Sequence, residues 1–255
     1  MDEFTSQNVR LAYIDEPPAT EARGNPVLLI HGFGSTHAIN WVLTQWVKTL
    51  TQAGRRVIAF DNRGHGRSEK LYNPEDYAIP LMAEDARNLL DHLDIKRADV
   101  IGYSMGARIA TFLAEAHSDR LGRLVLGGTG ENLIEGSSIP SGVAEAMEAA
   151  SVEVLVDPVQ KMFRQFAEAT KSDLKALAAC GRGARYKFSE AELAGIDLPV
   201  LIAVGTEDAI AGDPKRLGTL FRNAHMLEIP GRDHNRAVGD LVFKRGSLAF
   251  LDGTA

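Results

Sequence analysis

Short, wholly apolar runs alternate with helical stripes along most of this chain. The runs Val27-Leu-Leu-Ile30, Arg56-Val-Ile-Ala-Phe60, Ala98-Asp-Val-Ile101, Arg123-Leu-Val-Leu-Gly127 and Pro199-Val-Leu-Ile-Ala-Val-Gly205 read as strands covered on both faces. Between them Ile39, Val42, Leu43, Trp46, Val47 and Leu50 share one helical face and predict a single amphipathic helix stopping at Gly54. A second helix is marked by Met82, Ala86, Leu89, Leu90 and Leu93, and a third by Met105, Ile109, Phe112 and Leu113. Residues 3–6 and 9–14 alternate in polarity around Gln7-Asn8 and predict an opening hairpin. Repeated β-α-β units of this kind specify a mostly parallel sheet with helices on both faces.

From Glu131 to Ala194 the alternation stops. Helical spacing continues (Val159, Met162, Phe163, Phe166; Leu174, Leu177, Ala178), with Asp157-Pro158 and Ser189-x-x-Glu192 as helix starts. This predicts a helical insertion over 131–194 in a core made of 1–130 and 195–255. The sheet pattern then resumes, with Asp213-Pro214 opening a helix, a last strand over Ala224–Ile229 and a last helix after Asn235.

Candidate chemistry sits where the predicted strands end, which is where parallel sheets place their sites. Gly102-Tyr103-Ser104-Met105-Gly106 lies between strand and helix. Glycines on both sides of a serine permit a sharp turn that leaves Oγ exposed at its tip, a nucleophile elbow. Serine is a poor nucleophile until a neutral imidazole takes its proton, and the imidazole needs a carboxylate to hold it. Asp208 and His234 follow the two later strands and supply both, in the order Ser104, Asp208, His234. Glu207 is the rival acid; Asp233 is weaker, and Asp213 reads as an N-cap before Pro214. His31 and His65, each beside glycine, read as loop-shaping residues. Arg108 is either a contact for an anionic substrate or part of a solvated helix face.

Composition narrows the partners. The 28 Lys and Arg are outnumbered by 34 Asp and Glu, giving −6 without long like-charge runs, which disfavours nucleic acid and anionic membrane surfaces and leaves a small molecule. The lone Cys180 reads as an ordinary thiol, and the N-terminus lacks a signal-peptide pattern, so the expected location is cytoplasmic. No run of about 18 apolar residues, no metal-ligand spacing and no phosphate-binding loop is present, so neither cofactor nor metal is expected. Nothing in the pattern fixes an oligomeric state.

With His31-Gly-Phe-Gly34, the Asp61–Ser68 loop, the Ser104 elbow, Asp208 and His234 in place, the chain resembles the α/β-hydrolase superfamily over nearly its whole length. That resemblance implies a cap over residues 131–194 and an oxyanion hole made by the backbone N–H groups of Phe33 and Met105. The accompanying pocket takes in Gly32, Tyr103, Met162 and Phe166, with Met147 and Phe163 on the same kind of stripe. Serine at the elbow disfavours epoxide-hydrolase and haloalkane-dehalogenase chemistry, whose known members use aspartate there. The leading expectation is a serine hydrolase of small carboxylic esters or lactones. Gly102 to Arg108 is also similar to the elbow of the menaquinone-pathway synthase, although Ala107 replaces a glycine and that family's other substrate-binding arginines have no counterpart. Carbon–carbon bond hydrolases and receptors that retain the hydrolase fold are the remaining alternatives.

Overall fold

In the computed structural model, which describes residues 1–137 and 139–254, the apolar runs form one eight-stranded sheet. Its strands are β1 (Asp2–Ser6), β2 (Val9–Glu16), β3 (Val27–Ile30), β4 (Val57–Phe60), β5 (Ala98–Tyr103), β6 (Leu121–Gly127), β7 (Val200–Gly205) and β8 (Ala224–Ile229), in the order β1-β2-β4-β3-β5-β6-β7-β8. The opening hairpin pairs antiparallel and β2 joins β4 antiparallel, while every other pairing is parallel.

All four residues of β3 and of β4 are buried, because both faces are covered. Leu28, Ile30, Ile58 and Phe60 face one core with helices α2 (Ile79–His92) and α3 (Met105–Ala116). Val27, Leu29, Val57 and Ala59 face another with Trp46, Leu50 and Phe243. The strand order reverses at β3, whose neighbours are β4 on one side and β5 on the other. A crevice opens at such a switch point, and here the segments leaving β3 and β5 meet.

The stripe from Ile39 to Leu50 is not one helix. A π-helical turn covers Ala38–Val42, the chain breaks at Gln45 with φ +68°, and α1 covers only Trp46–Gln52. Tertiary bonds hold the break: the Lys244 ammonium donates to Thr44 O at 2.7 Å and Trp46 Nε1–H to Val238 O at 2.6 Å. Leu43 consequently leaves the stripe and is 72% exposed. The last predicted helix is likewise divided, into α10 (His234–Ala237) and α11 (Leu241–Leu251), the second started by Asp240 accepting from Val242 N–H at 2.7 Å.

Between β6 and β7 lie α4 (Asn132–Glu135), α5 (Val143–Glu148), α6 (Pro158–Ala169), α7 (Leu174–Gly183) and α8 (Glu190–Gly195). Asp157 accepts from Gln160 N–H to start α6, and Ser189 with Glu192 forms the capping box of α8. Helix α9 (Pro214–Gly218) starts from Asp213, which accepts from Lys215 N–H. Cys180 is buried on α7, and burial pushes its thiol well up from the ordinary value.

Candidate active site

The turn from β5 into α3 requires both of its glycines. A Cβ on Gly102 would lie 2.3 Å from Gly106 O, and one on Gly106 would lie 2.0 Å from Ile30 O. With that close approach enforced, Ser104 takes φ +55°, ψ −115°, a region that L-residues occupy only when the surroundings impose it. Its N–H donates to Gly127 O at 2.8 Å, which ties the turn to β6.

Two further turns deliver the partners. A Cβ on Gly205 would lie 2.0 Å from Arg232 O, so the end of β7 and the loop after β8 pack backbone to backbone, joined by Glu207 N–H donating to Arg232 O at 3.1 Å. Asp233 starts α10 by accepting from Asn235 and Arg236 N–H, which makes it a helix cap and sets His234 as the first helical residue. The Tyr103 hydroxyl donates to His234 O at 2.6 Å and holds the same residue from below. The outcome is a linear arrangement, with Asp208 Oδ2 2.8 Å from His234 Nδ1 and His234 Nε2 3.0 Å from Ser104 Oγ.

The second Asp208 oxygen accepts from Ile210 and Ala211 N–H at 2.9 and 3.0 Å. Burial works to raise the Asp208 carboxyl, but the hydrogen bond and charge of His234 and these two amides outweigh it and hold it below the usual carboxylate range. Asp208 therefore stays ionised and fixes imidazole with Nδ1–H toward itself and the Nε2 lone pair toward Ser104. Glu207, one residue away, is exposed and takes no part in this chain.

Met105 is the first residue of α3, so its N–H has no acceptor within the helix. Phe33 follows Gly32, at which a Cβ would lie 3.3 Å from Ser104 Cβ. The Gly32–Phe33 peptide is held from its carbonyl side, where Gly32 O accepts from His31 Nδ1–H at 2.8 Å and Ser35 N–H at 3.2 Å. A trans peptide then directs Phe33 N–H the opposite way. His31 Nε2 accepts from Asn62 N–H at 3.0 Å, so both ring nitrogens are committed to loop backbone.

Burial lowers His31 to about 4, and burial together with the neighbouring His31 lowers His65 to about 3. Both are neutral in the fold but bind protons in the unfolded chain below its ordinary value of 6.5. The unfolded state thus holds more protons in that range, and stability must fall as pH falls from 6.5 to about 4. Urea unfolding across that window should show a loss of roughly 5 kcal/mol from the two rings together, and a His31→Gln protein should lose about half as much.

Arg108 neither reaches a substrate nor faces water. Helix α3 is sandwiched between the sheet and the 131–194 segment, with Gly106, Ala107, Ile109, Ala110, Thr111 and Leu113 all buried, and Arg108 itself is fully buried. Its guanidinium donates to Asn132 O at 2.5 Å, Leu133 O at 3.1 Å and Tyr186 O. Burial pulls its pKa down to about 10, so it remains a cation at neutral pH, clamping α4 and the irregular segment before α8 onto the elbow helix. Arg108→Met removes the donors and leaves Tyr186 O unmet, while Asn132 O and Leu133 O keep Gly136 and Phe188 N–H at 3.3 and 3.2 Å, which should cost roughly 1–3 kcal/mol in urea unfolding.

A cavity of about 160 Å³ opens over Ser104. Gly32, Phe33, Tyr103, Met162 and Phe166 line it, with His234 at one side. Phe163 also lines it and stacks edge-on against Phe33, with ring centroids 6.0 Å apart. Met147 does not; it lies on the buried face of α5. The segment after β3 adds Ser35, Ile39, Asn40 and Thr44, and α10 with its C-terminal neighbour adds Asn235 and Val238. These were not legible in the sequence, since the stripe through Ile39 read as packing and an isolated Asn or Ser carries no pattern. No Arg or Lys lines the cavity, and no group of three or more His, Cys, Asp or Glu that could hold a metal occurs among the described residues. No helix among them is long and apolar enough to cross a membrane.

Residues 25–171 match the family model described as alpha/beta hydrolase fold. Across 227 residues the chain is 32% identical to the dihydrolipoyllysine-residue acetyltransferase component of the acetoin cleaving system of Pseudomonas putida, covering 83% of this chain and 59% of that protein. It is 35% identical over 114 residues to epoxide hydrolase B of Mycobacterium tuberculosis, covering 45% of this chain and 31% of the other. The chain thus spans well under two thirds of either protein. The crystal structure of a hydrolase from Pseudomonas aeruginosa PA01 superposes with a TM-score of 0.77 at 23% identity, over 99% of this chain and 98% of that one, a likeness of fold.

Proposed function

This chain belongs to the α/β-hydrolase family, and from that premise we propose that it hydrolyses a small, uncharged carboxylic ester or lactone. The observation that carries the reading is the continuous path from Asp208 Oδ2 through His234 to Ser104 Oγ, with steps of 2.8 and 3.0 Å. Ser104 Oγ attacks the ester carbonyl while His234 Nε2 takes its proton. The carbonyl oxygen gains charge against Phe33 and Met105 N–H, a contribution typically worth roughly 10²- to 10³-fold in rate for one donor. His234 then returns the proton to the leaving alcohol, and a water molecule, deprotonated in turn by His234, releases the acid and regenerates Ser104.

Serine sets the bond class. Opening an epoxide or an alkyl halide with Ser104 would leave an ether, which water does not hydrolyse, whereas a carboxylate nucleophile would leave an ester that turns over. The cavity supports an uncharged substrate, because no cation lines it to meet a carboxylate. Arg108, on which the resemblance to the menaquinone-pathway synthase leaned, is spent on backbone carbonyls. Residues 131–194 act in this reading as the cap, with Met162, Phe163 and Phe166 limiting the acyl chain.

A panel of p-nitrophenyl esters and lactones of graded size, with Ser104→Ala as background, tests the proposal. Short neutral substrates should turn over with a burst. Met162→Ala and Phe166→Ala should move the preferred chain length upward while changing acetate hydrolysis less. A folded wild-type protein that turns over no neutral ester or lactone, and takes no serine-directed phosphonate, would instead be a binding module.

A further inference from the structure

The cavity over Ser104 has two unlike walls. Met162, Phe163 and Phe166 make one apolar side, and Ser35 and Asn40 belong to the segment that makes the other. The Asn40 carboxamide is oriented by its surroundings: Gly32 N–H donates to it at 2.9 Å, and only its oxygen can accept. The amide –NH₂ therefore points elsewhere. Asn40 is 7% exposed, yet its –NH₂ donates to no acceptor among the described residues. Ser35 is 2% exposed, and its hydroxyl also lacks a partner among them. A buried polar atom without a partner, as Ser35 Oγ is, costs roughly 1–3 kcal/mol, and with the Asn40 –NH₂ at the same cavity it marks a place where a ligand supplies the missing acceptor.

The chemistry of that acceptor follows from the walls. An –NH₂ only donates, a hydroxyl can donate, and no cation lines the cavity, so the ligand group is a neutral oxygen rather than a carboxylate or phosphate. It lies close to the reacting carbonyl. Gly32 separates the two groups, since a Cβ placed there would sit 3.3 Å from Ser104 Cβ and 3.8 Å from Asn40 Oδ1. We propose that Asn40 and Ser35 bind a second, uncharged oxygen of the substrate a few bonds from the scissile carbonyl. The preferred substrate is then a 3-oxoacyl or 3-hydroxyacyl ester or lactone, not a plain alkanoate. This rests on the ester and lactone reading above.

Matched substrates decide it. Ethyl butyrate and ethyl 3-oxobutyrate are followed by acid release in a pH-stat, each kcat/KM divided by that ester's alkaline hydrolysis rate so that intrinsic reactivity cancels. Wild-type protein should favour the 3-oxo ester by at least about tenfold, because a site built to donate hydrogen bonds rejects an analogue without the acceptor. Asn40→Ala and Ser35→Ala should each reduce that ratio severalfold. Asn40→Ala also frees Gly32 N–H and so slows both esters, but the ratio is insensitive to a loss they share. A wild-type ratio near one with both esters hydrolysed overturns this inference alone, as does a ratio that survives both substitutions. If neither ester is hydrolysed, the ester reading fails and this inference with it.

Discussion

Ser104→Ala should lower ester turnover by at least about 10⁴-fold while the protein stays folded. The Oγ atom is the only group at the elbow within reach of His234 Nε2, at 3.0 Å, and its removal abolishes the acyl-enzyme. What remains is water activated by His234 in front of the backbone donors, a slower route because water is not held in attacking position. Alanine adopts the Ser104 backbone angles at much the same cost as serine, so the urea midpoint should hardly move. Turnover by Ser104→Ala at a tenth of the wild-type rate or more would assign the chemistry to another residue.

Asp208→Asn should cost about 10⁴-fold in kcat with little change in KM. The asparagine can keep an oxygen on Ile210 and Ala211 N–H, which Asp208 now meets at 2.9 and 3.0 Å, and the turn survives. Its –NH₂ then faces His234 Nδ1, so the ring proton moves to Nε2 and points at Ser104 when a lone pair is needed. Glu207→Gln should be nearly silent, because that side chain is exposed and outside the path. A crippled Glu207→Gln beside a mild Asp208→Asn would exchange the two roles.

The parts of this fold most legible in the sequence are those governed by local rules. Strands β3 to β7 stand out as apolar runs because both faces are covered, and the elbow stands out because Gly102 and Gly106 occupy positions where a Cβ would strike backbone. The places of Asp208 and His234 follow once each is recognised as the residue beyond a strand end. What stayed hidden depends on groups distant in sequence. The hydrophobic stripe runs unbroken through Gln45, yet contacts from Val238 and Lys244, some 200 residues away, stabilise a left-handed residue there and split the helix. Arg108 looked like a surface arginine because nothing in its own helix reveals that the segment after β6 folds back over it. The alanine-rich composition of that helix, apolar nearly all round, is the one local sign of burial. Asn40 and Ser35 carry no pattern at all, since their significance lies in hydrogen bonds they lack.

The account rests on a covalent intermediate at Ser104, and intact-protein mass spectrometry after treatment with a fluorophosphonate reads that atom directly. Wild-type protein should gain one phosphonyl group per chain, mapped by digestion to the peptide containing Ser104, and Asp208→Asn should gain it far more slowly. Ser104→Ala should gain none. A folded wild-type protein that stays unmodified while it hydrolyses esters, or a Ser104→Ala protein modified at the wild-type rate, would contradict the assignment.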